Sequence, residues 1–418
     1  YYRSLEFDGL KAISRAEARS YFVSGDTLFR LRSDRIFTPD RLQDSMVALS
    51  EVLARQGYRD AVVTTNWVQM NEKSGAVTVR LKVREGLPTY VRSVAVTVVG
   101  SDEDDHTSTN RETLHPDKPY SRLWQEDLAR HLRAKEYARG YPDAAVEFSA
   151  LQYETNATRI QVDMAARVGT GPRVRVGRVI YSGNRHTRSS VINSHVTFHP
   201  GDWLNPLAAE ESRQRLAGLG VFDSVRLHYE DTNAAARNVI YDFKETKPIS
   251  LSLLAGYGSY EMLRGGLEWE DRNVLGLAHD IRIRGVQSFK STSGEAQYTV
   301  PEVLGENLNA FVKGSGLRRE EVSFLRKEYG GSVGVQKYLA PVKTDLGIRY
   351  EYEFLNTSEL NTTNAGSLGA TNARSAAIVI DLSRDRRETP LLPRRGLKLF
   401  SKIELAADAL GGNVNYQR

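Results

Sequence analysis

The C-terminal part of the chain alternates strictly between apolar and polar residues. The clearest example is the segment 344–355, TDLGIRYEYEFL, in which an apolar residue occupies every second position. Side chains of a β-strand point alternately to its two faces, so this segment predicts a strand with one apolar and one polar face. The apolar positions are Leu346, Ile348, Tyr350, Tyr352 and Phe354.

Similar alternation recurs through residues 248–418. Further runs lie at residues 263–270, 280–285, 376–382 and 397–405. Each run has roughly ten residues, the length with which a tilted strand crosses a bilayer. We therefore predict an antiparallel transmembrane β-sheet of nine strands, with residues 411–418 starting a tenth and the apolar positions facing lipid. A sheet in lipid cannot keep open edges, so we expect further strands after Arg418.

The connections between these strands are of two kinds. One set contains every proline after residue 250, at residues 271–277, 301–305, 339–341 and 384–396. The other set is polar, at residues 258–261, 289–294, 318–323 and 356–372. Successive turns of an up-and-down sheet lie on opposite rims. Because the first strand, 249–257, directly follows Lys247-Pro248, we predict the proline-containing turns on the side of the N-terminal region.

One pattern occurs three times in the first 247 residues. Gly57, Gly140 and Gly220 are separated by 83 (140 − 57) and 80 (220 − 140) residues, and each follows a helical segment and precedes an aromatic residue and a strand. Glycine adopts the left-handed conformation that ends a helix at little cost. We predict three β-α-α-β-β units of about 80 residues, each able to bury a small core. Their predicted bounds are 1–87, 88–172 and 173–247.

The third unit resembles a polypeptide-transport-associated (POTRA) domain. The residues that carry the resemblance are Gly183-Asn184 after the first strand, Gly201-Asp202 before the second helix, and Gly220 and Phe222 after it. Three such units followed by an antiparallel sheet resemble the BamA/TamA superfamily of outer-membrane assembly proteins, and the number of units is most similar to its TamA members. The resemblance implies α+β POTRA repeats followed by a transmembrane β-barrel of about sixteen strands, an even number, of which this sequence contains the N-terminal part.

Composition narrows the possible chemistry. Cysteine is absent, which excludes disulfide bonds, a thiol nucleophile and a cysteine-based zinc site. The net charge of +5 is spread along the chain without a basic block, so we predict no nucleic-acid partner. The sequence starts at Tyr1 without a recognisable signal peptide, so we expect a mature or trimmed polypeptide.

Three sets of polar residues are candidates for a metal site or for acid–base chemistry. They are His106 and His115 around the acidic residues 102–105, the group His186, His195 and His199, and the pair Glu351 and Glu353. The histidine spacings are irregular and provide no third ligand at a workable distance. Solvated loops and charges facing a wet barrel interior explain these residues more simply. We predict no catalytic, metal-binding or cofactor-binding residues.

The resemblance implies strand exchange instead of catalysis. Unpaired strand edges bind extended segments through backbone hydrogen bonds, so each unit is predicted to receive unfolded outer-membrane proteins by β-augmentation. The first sheet strand would meet the last one at a lateral seam, where Gly256 and Gly258 weaken the packing. The predicted seam residues are Ile249, Leu251, Ser252, Leu253, Ala255, Gly256, Tyr257 and Gly258. The predicted partners are unfolded client proteins, outer-membrane lipid and a periplasm-spanning protein.

Two other functions remain open at the level of sequence. One is a two-partner secretion translocator, although such proteins typically carry two POTRA domains and an N-terminal plug helix. The other is a soluble α+β adhesion or scaffold protein whose C-terminal half is a β-sandwich, which purification without detergent would reveal.

Overall fold

A computed structural model describes residues 1–23, 36–100, 111–233, 235–303, 308–322, 324–359, 372–387 and 396–418. Three small modules with mixed helices and strands precede one ten-stranded sheet. Among the described residues, no helix combines the length and apolar character needed to cross a membrane.

Module 1 has the predicted β-α-α-β-β order. Its elements are β1 (Tyr2–Asp8), α1 (Arg15–Ser20), α2 (Pro39–Arg55), β2 (Val62–Asn71) and β3 (Ala76–Arg84). The central strand β3 runs parallel to β1 and antiparallel to β2. Thr38 caps α2 by accepting a hydrogen bond from the backbone N–H of Arg41, and Pro39 occupies the first turn. The helices cover one face of the sheet, where Leu53 and Leu81 are fully buried.

Module 3 repeats this arrangement. Its elements are β9 (Arg175–Ser182), α4 (Ser189–Ser194), α5 (Pro206–Gly218), β10 (Phe222–Asn233) and β11 (Ala236–Glu245). The sheet order is β9-β11-β10, again with the closing strand in the centre. Ile192 and Leu216 from the helices and Tyr241 from the central strand are fully buried in its core.

Module 2 differs from the prediction. Its elements are β4 (Thr89–Val99), β5 (Arg111–Leu114), β6 (Lys118–Pro119), α3 (Arg122–Ala138), β7 (Ala145–Thr155) and β8 (Ile160–Gly169). In place of a first helix, the described residues before α3 form two short strands, which pair with β4. The unpaired backbone groups at the edge of β4 provide hydrogen-bond partners for this segment, which explains why it is extended.

The remaining strands form a single antiparallel meander. They are β12 (Ile249–Gly258), β13 (Met262–Val274), β14 (His279–Ser288), β15 (Ser291–Val300), β16 (Leu308–Glu320), β17 (Phe324–Leu339), β18 (Thr344–Glu359), β19 (Asn372–Asp385), β20 (Lys398–Ala406) and β21 (Tyr416–Gln417). Each strand pairs with the next in sequence, and the sheet is open, with β12 and β21 at its edges. The nine predicted strands and the start of a tenth are therefore confirmed.

The sheet has two chemically different faces. Leu346, Ile348 and Tyr350 lie directly opposite Leu382, Ile380 and Ile378 of the next strand, on what we call the apolar face. The predicted lipid-facing residues Tyr352 and Phe354 continue the same face. The opposite, polar face carries ion pairs between neighbouring strands. They include Arg349 with Asp381, Lys313 with Glu295 and Arg282 with Glu270.

Candidate functional site

The first sheet strand, β12, has one free edge. It pairs with β13 over ten consecutive residues, from Ile249 opposite Asp271 to Gly258 opposite Met262, without a bulge. No strand pairs with its other side in the described part of the chain. An unpaired edge of this length is a template for another strand.

The predicted seam residues occupy both faces of β12. Those on the apolar face are Ile249, Leu251, Leu253, Ala255 and Tyr257, while Ser252, Gly256 and Gly258 lie on the polar face. Leu253 is 81% exposed and Tyr257 is 75% exposed, so these side chains have no protein cover. The structure thus places all eight residues along one edge.

The two seam glycines differ in the space beside them. A Cβ atom added at Gly256 would lie 2.7 Å from Nε of Arg264, so the arginine side chain fills the space that the glycine leaves. Nothing lies within 4 Å of a Cβ added at Gly258. Arg264 therefore fills the space beside Gly256, whereas the space beside Gly258 is open; weak packing at the seam stays a prediction.

Module 3 is tied to the sheet at two places. The first is the linker 246–248, where the backbone N–H of Thr246 donates to the carbonyl of Val221 and that of Arg272 donates to Pro248. The second is the turn between β13 and β14. The backbone N–H of Arg188 donates to the carbonyl of Gly276 at 2.9 Å.

A close approach at Gly276 requires glycine. Its φ is +75°, and a Cβ atom would lie 2.3 Å from the carbonyl oxygen of His186. Nearby, Nδ2 of Asn273 donates to Oγ1 of Thr187 at 2.9 Å, while Oδ1 of Asn273 accepts from the N–H of Ala278. Ala278 is buried within the core of module 3. This turn of the sheet is therefore packed as part of module 3.

A carboxylate organises the module side of this joint. The side chain of Glu245 is largely covered, with 10% of it exposed, and accepts hydrogen bonds from the backbone N–H groups of His186 and Thr187 at 3.0 and 2.8 Å. Burial acts to raise the pKa of Glu245, but the hydrogen bonds from Thr187 and His186 outweigh it and lower the pKa to about 2. The ionised carboxylate thus holds the loop that contacts the sheet.

The glutamate has a counterpart in module 1 that sequence reasoning missed. Oε1 of Glu85 accepts hydrogen bonds from the backbone N–H groups of Lys11 and Ala12, at 2.5 and 2.7 Å. Both glutamates lie at the end of the closing strand in the pattern apolar-basic-Glu, as Val83-Arg84-Glu85 and Phe243-Lys244-Glu245. That repeated pattern is the sequence signal that could have identified both glutamates.

The POTRA-type motif residues are structural. Gly183 has a φ of +85°, and a Cβ atom there would lie 2.1 Å from the carbonyl oxygen of Phe243. Asn184 donates to the carbonyl of Thr187, and Asp202 accepts from the backbone N–H of His199. Gly220 also has a positive φ, and Phe222 packs 4.5 Å from Phe243 between ring centroids.

Two of the three recurring glycines have a role beyond ending helices. The carbonyl of Gly57 accepts from the N–H of Thr89 in module 2, and that of Gly140 accepts from Val174 in module 3. A Cβ atom at Gly140 would lie 2.9 Å from Cβ of Trp203. Two of the glycines therefore form the surface onto which the next module docks.

Ionic and stacking contacts reinforce the joint between modules 2 and 3. Arg237 makes two parallel hydrogen bonds of 2.7 Å to Asp143. The guanidinium groups of Arg173 and Arg175 lie 3.6 and 3.9 Å from the ring centroid of Trp203.

The candidate histidines do not converge. His186 lies 3.0 Å from Glu245, His195 lies 3.0 Å from Glu302, and His199 faces Asp202. Within the described ranges, no group of three or more His, Asp or Glu side chains is arranged to hold a metal ion. His106 and the acidic residues 102–105 lie outside the described residues, whereas His115 lies just before β6.

The contact between His195 and Glu302 also locates the rims of the sheet. Glu302 lies in the turn after β15, and Gly276 in the turn after β13, and both turns belong to the predicted proline-containing set. Both contact module 3, so this rim faces the modules as predicted. The polar pair Glu351 and Glu353 lies on the polar face, where Glu351 pairs with Arg349. Most of the polar connection 356–372 lies outside the described residues.

Two protein families match the chain. The POTRA family, described as surface antigen variable number repeat, matches residues 1–86 and 174–246. The Omp85 superfamily domain matches residues 273–418. These ranges coincide with module 1, module 3 and the sheet from the end of β13 onward.

Two outer-membrane protein assembly factors are similar in sequence to this chain over long stretches. The outer membrane protein assembly factor BamA of Neorickettsia risticii is 23% identical over 62% of this chain and 35% of its own length. BamA of Nitratidesulfovibrio vulgaris is 20% identical over 100% of this chain and 53% of its own length. The chain therefore spans about a third to a half of these relatives.

A solved structure supports the architecture. The crystal structure of Haemophilus ducreyi BamA lacking POTRA domains 1–3 matches with a TM-score of 0.52 and 17% identity, over 74% of this chain and 62% of that chain. Together these findings locate the modules in the periplasm and the sheet in the outer membrane of a Gram-negative bacterium. POTRA repeats joined to an Omp85 domain, together with BamA relatives at low identity, support the BamA/Omp85 superfamily as the family of this chain.

Proposed function

We propose that the protein inserts and assembles outer-membrane proteins, with its sheet forming the N-terminal part of a β-barrel. The observation that carries this proposal is the geometry of β12, which pairs with β13 over ten residues without a bulge and has no partner strand on its other side in the described residues. Alternate residues of an antiparallel strand direct their N–H and C=O groups to each neighbour, so roughly five residues present unpaired backbone groups at this edge. Each unpaired group costs several kcal/mol in lipid, which favours pairing with an incoming strand.

Side chains on the same strand suit an amphipathic client. A client strand paired with β12 places its own apolar residues beside Leu251, Leu253 and Tyr257, and its polar residues beside Ser252. Burying each large apolar side chain of the client contributes about 1.5–3 kcal/mol, so insertion needs no nucleotide. The seam thus acts as a template for strand pairing, and burial of the client's own apolar side chains supplies the free energy of insertion.

The modules supply edges for β-augmentation upstream of the seam. In the described sheets, β2, β7 and β10 are edge strands. The registers of β2 and β7 shift in mid-strand, after Thr65 and Ala150, whereas β10 pairs without interruption over residues 224–231. Because bulges hinder strand addition, β10 is the favoured acceptor, next to the sheet.

We further propose three POTRA domains at residues 1–87, 88–172 and 173–247, followed by the barrel part at 248–418. Module 2 lies outside the ranges matched by the POTRA family, but its order β4-β8-β7 with α3 before β7 follows that of modules 1 and 3. Three POTRA domains favour a TamA-like factor that works with a periplasm-spanning partner. The number of POTRA domains in the complete protein tests that narrower assignment.

Cysteine crosslinking tests the proposed function. A Ser252→Cys variant is expected to form disulfide adducts with a nascent outer-membrane barrel protein that carries a single cysteine in its terminal strand. Ser332→Cys is the matched control, since Ser332 is a serine on the same face of the interior strand β17. Equal adduct yields at both positions would refute templating at β12. Adducts formed only with an exported, non-barrel polypeptide would favour a two-partner secretion translocator.

A further inference from the structure

Two cations stand side by side on the apolar face of the sheet. Arg318 of β16 lies directly opposite Lys327 of β17, and their neighbours in the same register are Thr292 of β15 and Asn356 of β18. We call Arg318 and Lys327 the cation pair. All four side chains can donate hydrogen bonds, and none is a carboxylate.

The faces of the flanking residues fix the direction of the cation pair. Arg326 and Glu328, on either side of Lys327, form an ion pair, and Glu328 lines a cavity on the polar face with Glu353. Arg319, next to Arg318, pairs with Glu321. Since successive side chains of a strand alternate, Arg318 and Lys327 project from the opposite, apolar face.

The position of Lys327 along its strand sets its depth in the membrane. The next cation on the apolar face of β17 is Lys337, and only Tyr329, Gly331, Val333 and Val335 lie on that face between them. The ten-residue separation spans roughly 33 Å along the strand, or about 25 Å of membrane thickness at the usual barrel tilt. That thickness equals the apolar band of such sheets, so the cation pair lies at the lipid–water boundary remote from the modules.

Nothing in the described part of the protein neutralises the cation pair. Neither side chain forms an ion pair within 4.0 Å among the described residues, and this includes Glu320, the next residue of β16 on this face; the ion pairs nearby belong to Arg319 and Arg326 on the polar face. The connecting residues 360–371, LNTTNAGSLGAT, contain no Asp or Glu. Like charges directly opposite each other on neighbouring strands are destabilising, so the pair calls for an external anion.

We propose that the cation pair binds the phosphate of a lipid headgroup in the outer leaflet. Arginine and lysine are the side chains that bind phosphate most strongly, through charge-assisted hydrogen bonds. The surface just below Arg318 suits the acyl part of such a lipid. Gly316 and Gly314 follow it on the apolar face, and a Cβ atom at Gly314 would meet no heavy atom within 4 Å. A lipid is favoured over free phosphate because the pair adjoins this apolar surface.

Lipid titration of the complete protein in an uncharged detergent tests the site. The probe is lipid A, an acylated disaccharide with two phosphates, and bound lipid is counted by native mass spectrometry. We expect the double variant R318Q/K327Q to bind about 30-fold more weakly, the loss of two cations at an anionic lipid surface. Lys337→Gln is the matched control, since it removes a cation from the same face and strand at the other boundary, and its affinity is expected to be unchanged. Equal affinity of the double variant and wild type would overturn the proposal.

Two further measurements distinguish lipid phosphate from free phosphate and test whether the substitutions change the stability of the protein. Inorganic phosphate at the same phosphate concentration is expected not to displace lipid A, and displacement would show that the site binds free anions. Without lipid A, the double variant is expected to melt at a slightly higher temperature than wild type, because repulsion is relieved. Lipid A is then expected to raise the Tm of wild type only. A lower Tm of the lipid-free double variant would show that protein contacts stabilise the cations, which contradicts the proposal.

Discussion

Asn273, in the turn between β13 and β14, donates a hydrogen bond of 2.9 Å to the hydroxyl of Thr187 in module 3, and both side chains are buried. The two residues are 86 positions apart in sequence. Their contact joins module 3 to the sheet, which the linker 246–248 already connects. Two separate ties prevent module 3 from swinging about the linker alone. Any rotation of the module must therefore move β13 and β14, and β13 is the strand that pairs with β12.

The first prediction concerns this joint. Asn273→Ala leaves the Thr187 hydroxyl and the N–H of Ala278 without partners, which costs about 1–3 kcal/mol. Thr187→Val is expected to cost a similar amount, and the double variant little more than either, because both remove the same interaction. Hydrogen exchange at the amides of His186 and Thr187 measures the effect. Thr187→Ser, which keeps the hydroxyl, serves as the control, and fully additive losses would show that the two residues act independently.

The second prediction concerns pH. The pKa of Glu245, about 2, lies below its ordinary value of 4.5, so ionisation stabilises the folded module. That contribution is complete above about pH 4.5, is lost as the pH falls towards 2, and amounts to about 3 kcal/mol. The protection factor of the Thr187 amide, its intrinsic exchange rate divided by its observed rate, should fall over this range in wild type. Glu245→Gln is expected to have a lower protection factor at neutral pH and to show little further change in it on acidification. Glu211→Gln, at an exposed position of α5, is the control and should follow wild type.

The third prediction concerns the docking glycine of module 2. Gly140→Ala forces a Cβ atom against Trp203 at a φ of +93°, so it should both destabilise the protein and change the angle between modules 2 and 3. Gly201→Ala is the control that measures the cost of the backbone conformation alone, since Gly201 has a φ of +92° and no atom within 4 Å of an added Cβ. The control is expected to lose about 1–2 kcal/mol without a change in angle. Distances between spin labels on modules 2 and 3 measure the angle, and identical distance distributions in the two variants would contradict a docking role.

Whether a feature of the fold or of the site could be predicted from the sequence depends on how far apart in the chain the interacting residues lie. The alternation in 344–355 is local, and it sufficed to predict the strands and their two faces. The spacing of Gly57, Gly140 and Gly220 predicted the modules, because each glycine ends a helix within its own unit. The contacts of Gly57 and Gly140 with the following module involve residues more than 30 positions away, and helix-ending chemistry contains no information about them.

Other features depended on strand register or on competition for an edge. Nothing in the local pattern of Arg318 or Lys327 shows that they are neighbours, because that requires the exact pairing of β16 with β17. In the described residues of module 2, β5 and β6 precede α3 where a first helix was predicted, since the edge of β4 provides backbone partners that a local pattern does not reveal. Glu245 lies at the end of a strand that the sequence predicts, but its partner Thr187 belongs to a loop 58 residues earlier.

The central claim is that one face of this sheet is covered by lipid and the other by water. A single-cysteine scan along residues 346–354 in lipid vesicles tests it most directly, with a membrane-impermeant maleimide and quenching of a cysteine-linked fluorophore by brominated lipid as the two readouts. We predict that the even positions, from Leu346 to Phe354, are quenched by lipid and are poorly labelled from water, while the odd positions show the opposite. Loss of this two-residue period, with the even positions shielded from both lipid and water, would contradict the account.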